Sequence, residues 1–61
     1  MTTFLVHNPH DKEADDYETE DMNAIQALMA EGLLKSCPND PLLFLAATDS
    51  ADDWQKIIDR V

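Results

Sequence analysis

The chain has 61 residues, 44% of them hydrophobic, with 13 acidic side chains against 4 basic ones and a net charge of −9. That length allows one small domain, which buries only ~60% of its unfolded surface and is marginal alone, and the single Cys37 excludes a disulfide framework. The charge argues against direct binding to DNA, RNA or anionic membranes, and the apolar content argues against a chain disordered by composition.

Residues 2–7 read as a short strand. Phe4, Leu5 and Val6 are consecutive and apolar, which suggests burial on both faces, and Asn8-Pro9 ends the run. Residues 8–18 are polar and aperiodic and read as a loop, and the span 8–19 is expected to be mobile or ordered by a partner. Extending the next helix backwards would set Asp11–Asp15 and Asp16–Glu20 as like-charge pairs four residues apart.

A helix is expected over 20–31 or 20–35, with Met22, Ile25, Leu28, Met29 and Leu33 on one face. Thr19 is its expected N-cap, with Glu20 and Asp21 in the first turn. Gly32 fits either the helix interior or a left-handed C-terminal residue. In the second case residues 33–36 form an optional short strand. Cys37-Pro38-Asn39-Asp40-Pro41 reads as a turn.

Residues 42–47 are apolar, and their length and position favour a buried strand paired with the first. Leu and Ala there, and the helix-start signal Asp40-Pro41, keep a mostly helical chain open as the alternative. The last element is a helix capped by Ser50, with Asp53 as a capping-box variant. Ala51, Trp54, Ile57, Ile58 and Val61 line its apolar face, while Lys56 and Arg60 sit near its negative end. The fold expected is therefore a small α/β (α+β) two-layer domain over 1–61 in the order β-α-β-α. Two helices would cover one face of a small sheet, leaving a sheet edge free for a partner strand or a second copy.

The strongest functional signal is the acidic run Asp11, Glu13, Asp15, Asp16, Glu18, Glu20 and Asp21, opposed within it only by Lys12. If helical, 11–21 would span ~16 Å. Its charge density would be about one per 2.4 Å, against one per ~1.7 Å in duplex DNA. The same run fails as a calcium loop. Counted from Asp11, the sixth position is Asp16 where Gly is required, and the twelfth is Met22 where Glu is required. Tyr17 is the aromatic within the run best suited to a partner contact.

Three functional readings follow. The leading one is a non-enzymatic, acidic interaction protein that binds the basic surface of a nucleic-acid-handling protein and inhibits or modulates it. Its class is that of DNA mimics and phage-type anti-defence inhibitors, and its partner-binding residues are Asp11, Glu13, Asp15, Asp16, Tyr17, Glu18, Glu20 and Asp21. The second is a small homo-oligomeric assembly module, in effect a homodimer. The third is a small hydrolase or metal-binding domain in which His7 or His10 acts as base or ligand, Asp49 as orienter and Ser50 as nucleophile. No cofactor is implied. A reducing, cytoplasmic setting fits the lone cysteine and the lack of a basic-then-apolar leader pattern.

Overall fold

The computed structural model describes residues 1–61. Its elements are β1 (Phe4–His7), β2 (Tyr17–Thr19), α1 (Met22–Ala30), β3 (Leu34–Cys37), β4 (Asp40–Ala46) and α2 (Ala51–Arg60). The sheet is four-stranded, ordered β2-β1-β4-β3. β1 and β4 are parallel, and each carries an antiparallel edge strand, β2 on β1 and β3 on β4. The two-layer α+β fold expected from the sequence is thus present, with twice the strands that the minimal order required. Two strands alone would be marginal in water.

The core forms on one face of this sheet. Phe4 and Val6 of β1 and Phe44 and Ala46 of β4 alternate inward, as a period of two requires. They meet Ile25 and Leu28 of α1 and Ile57 of α2 in one cluster of 9 buried residues, completed by Leu33 and Leu34. Phe4 and Phe44 pack edge-on, with ring centroids 5.8 Å apart, a favoured aromatic geometry. Both helices feed this single cluster, so they share one face.

The consecutive apolar residues of β1 are not buried on both sides. Leu5 faces away from the core and is half-buried, as are Leu43 and Leu45 of β4. The core stripe of α1 is also narrower than its spacing suggests. Ala24, Ile25 and Leu28 are buried, whereas Met22 and Met29 are exposed.

Local chemistry sets the boundaries. Asp21, not Thr19, caps α1. Its Oδ1 accepts from the backbone N–H groups of Asn23 at 3.0 Å and Ala24 at 3.2 Å. Thr19 belongs to β2, and its hydroxyl accepts from the Asp21 N–H at 3.1 Å. Asp is as good a cap as Thr or better, so the helix starts two residues later than the first capping candidate allows. The first turn of α1 consequently holds no acid.

At the other end Gly32 adopts φ +78°. The Leu33 N–H reaches the Leu28 carbonyl at 2.9 Å and the Gly32 N–H reaches that of Met29 at 3.0 Å. These two bonds are the Schellman pattern, with Leu33 and Leu28 supplying its hydrophobic contact. Gly32 therefore ends the helix and releases β3.

The apolar segment from Leu42 onward extends as a strand rather than a helix. Asp40, a potential helix start, instead accepts from the Leu42 N–H at 3.0 Å beside the hairpin turn. Leu43, Phe44 and Leu45 then pair with Leu5, Val6 and His7. The turn itself is Pro38-Asn39 between Cys37 and Asp40. No residue except Gly32 has positive φ, which excludes the primed turns that match strand twist. The mismatch coincides with a register shift between Ser36 and Cys37, as a bulge would produce.

This packing sets two expectations for stability. Gly32→Val should destabilise the fold by about 1–2 kcal/mol through backbone conformation. A β-carbon added at Gly32 would meet no atom within 4 Å, so Gly32→Asn should cost distinctly less; urea unfolding of both variants checks the order. Leu28→Ala, at a position with no exposed surface, should cost about 2–5 kcal/mol, enough to unfold much of a chain this small by circular dichroism.

Candidate partner-binding surface

The acidic run does not form a helix. It follows a turn, an edge strand and a cap. Asp11 accepts from the Glu13 N–H through its side chain at 3.0 Å, and its carbonyl accepts from the Ala14 N–H at 3.2 Å. The chain then enters β2, the outermost strand on that side of the sheet, and ends at the cap of α1. The helical charge spacing therefore does not apply.

All seven carboxylates are exposed. Three have structural partners: Asp11 in its turn, Asp21 in its cap, and Asp16, whose Oδ1 lies 2.6 Å from His7 Nδ1. The side chains of Glu13, Asp15, Glu18 and Glu20 make no hydrogen bond or ion pair. Besides the His7–Asp16 contact, the chain has one ion pair, a loose Arg60–Glu31 contact at 3.7 Å. Neighbouring carboxylates in this segment lie within a Debye length, ~10 Å at 0.1 M salt. Their fields therefore sum into one negative edge.

Two anchors hold that edge to the domain. One is the His7–Asp16 contact. The other is Tyr17, which is half-buried and packs edge-on against Trp54 of α2, with ring centroids 5.9 Å apart. Tyr17 thus spends part of its surface on the core. Sequence reading missed β2. Its composition carried a hint in Tyr17 and Thr19, two good strand formers flanking an outward Glu18, but the six surrounding acids obscured it.

No hydrogen bond links His7, His10, Asp49 and Ser50 to one another. The parallel pairing of β1 and β4 does bring their C-terminal ends to one side. There, however, His7 turns to Asp16, and Ser50 Oγ accepts from the Asp53 N–H at 3.3 Å as the cap of α2. Asp53 accepts from the Thr48 hydroxyl at 2.7 Å instead of closing a capping box. Asn8 is buried, with its Oδ1 accepting from the His10 N–H at 3.0 Å, and the His10 side chain is exposed. No three His, Cys, Asp or Glu side chains group closely enough to hold a metal ion. Cys37 is a half-buried free thiol on β3.

One pocket of about 220 Å³ lies between the C-terminal ends of the helices. Leu28 and Leu33 line it, with Glu31, Lys56, Asp59 and Arg60 around them. It falls below the ~300 Å³ of an ordinary ligand pocket. No helix is long and apolar enough to cross a membrane. Comparison with protein-family models, with curated proteins and with solved structures gives no match.

The Tyr17–Trp54 contact is testable as a pair. A double-mutant cycle with Tyr17→Leu and Trp54→Leu should give a coupling of about 0.5–1.5 kcal/mol in urea unfolding. Additive losses would mean that the aromatic contact does not fasten the acidic edge.

Proposed function

We propose that this chain is a non-enzymatic, acidic interaction protein that binds the basic surface of a nucleic-acid-handling protein and blocks or modulates it. The observation that carries this reading is the exposed, unpartnered state of Glu13, Asp15, Glu18 and Glu20 in and beside the edge strand β2. Within the run, Asp11, Asp21 and Asp16 are taken up by a turn, a cap and the His7 contact, and these four are not.

The mechanism is competition. Carboxylates along 11–21 occupy Lys and Arg groups that otherwise hold phosphates, through charge-assisted hydrogen bonds. The summed field steers association and weakens with salt. The functional class is that of DNA mimics and phage-type anti-defence inhibitors, on grounds of charge, size and exposure.

Neutralising the four unpartnered acids (Glu13→Gln, Asp15→Asn, Glu18→Gln and Glu20→Gln together) leaves the turn, the His7 contact and the cap in place. The immobilised chain should retain a nucleic-acid-acting protein from lysate of its source cells and release it sharply in a salt gradient or on addition of duplex DNA. The variant should lose that capture while keeping its circular dichroism spectrum. Equal retention by the variant, or no protein retained by the native chain, would sink the proposal.

A further inference from the structure

We propose that the helix-free face of the sheet is the seat for one amphipathic, cationic helix of the partner; this deepens the acidic-interaction reading and rests on it. The face is built in rows by strand register. Glu18, Leu5 and Leu43 form one row across β2, β1 and β4, and His7, Leu45 and Lys35 form the next across β1, β4 and β3. Asp16 extends the second row on the β2 side through its contact with His7.

The pattern across the face is therefore acid, then leucine, then a single lysine at the far edge. Leu5, Leu43 and Leu45 take no part in the core cluster, and each keeps some exposed surface. Neither helix covers them, since both lie on the opposite face.

Charge and width choose the occupant. From β2 to β3 is three strand spacings of ~4.8 Å, about 14 Å in all, and one helix with its side chains is ~10–12 Å across. A helix lying along the strands would set an apolar stripe on the three leucines. Its basic flank would then meet Glu18 and Asp16. A second copy of this chain is the poorer occupant, because each copy carries −9 and like charges repel at an interface.

The probe is a synthetic helical peptide of Leu and Lys, amphipathic by design, titrated at low salt into the isotopically labelled full chain and followed by NMR. Oligolysine of equal charge is the comparison. The Leu/Lys peptide should shift the amides of Leu5, Leu43 and Leu45 together with Glu18, whereas oligolysine should shift only the acidic segment. Leu43→Gln with Leu45→Gln should weaken the Leu/Lys peptide about tenfold, by removing apolar burial, and leave oligolysine unchanged. Should that double variant unfold, Lys35→Glu decides. It adds an acidic flank at an exposed edge and should tighten the Leu/Lys peptide, and no change in affinity would overturn the docking site.

Shifts confined to 11–21 with both peptides would overturn this inference and leave the acidic reading standing. Binding of neither peptide would remove both. Shifts of the same leucines with chain concentration alone would make the face a self-association surface and overturn the inference.

Discussion

The parallel pairing of β1 with β4 is the constraint on which the rest of this domain depends. It sets Val6 beside Phe44 and so aligns the two inward rows that α1 and α2 cover. It also leaves each central strand with one free side, which β2 and β3 fill. A central strand needs hydrogen-bonding partners on both sides, and the three residues of β2 satisfy that need for β1. The most acidic part of the chain is therefore recruited into the sheet by backbone demand, against its own charge repulsion.

Under the proposed function, that recruitment would matter for binding. A freely moving acidic tail would lose conformational entropy on binding. Here the segment is held at Asp16 by His7, at Tyr17 by Trp54 and at Asp21 by the start of α1. The loss is largely met on folding, and the carboxylates between these points keep a defined order along the edge. Preorganisation of this kind would raise affinity for the proposed partner without adding contacts.

Much of the architecture was legible in the sequence because periodic apolar residues and caps report local structure directly. Trp54, Ile57 and Val61 of the α2 stripe, the Ser50 cap and the position of β1 are of this kind, although Ala51 is exposed. Gly32 was ambiguous because propensity alone cannot distinguish a glycine inside a helix from one just past its end; the Schellman bonds to Leu28 and Met29 decide it. β2 was hidden because a three-residue edge strand has too few residues to show a period. Its identity as a strand comes from β1, which is remote in sequence. The placement of Asp16 beside His7 follows from the same pairing and carries no local signal. The acidic residues themselves were plain, but which of them the fold uses and which it leaves open depended on turns and caps that only the assembled chain displays.

The parallel pair also shapes how the chain reaches its fold. Leu5 and Leu43 are partners separated by well over half of the chain, whereas β3 and β4 are joined by a two-residue turn. Closing a long loop loses more entropy than closing a hairpin, so local pieces such as β3–β4 and the two helices form ahead of the central pairing. β1 and β2, joined by nine residues, also pair locally, but Phe4 and Val6 meet their core partners only when β4 and the helices dock. The acidic edge can thus pair early with β1, but its anchor at Trp54 is made only once α2 is seated on the completed sheet. Recognition through that edge would carry a built-in quality filter: a partly folded chain keeps its full negative charge but lacks the anchored array.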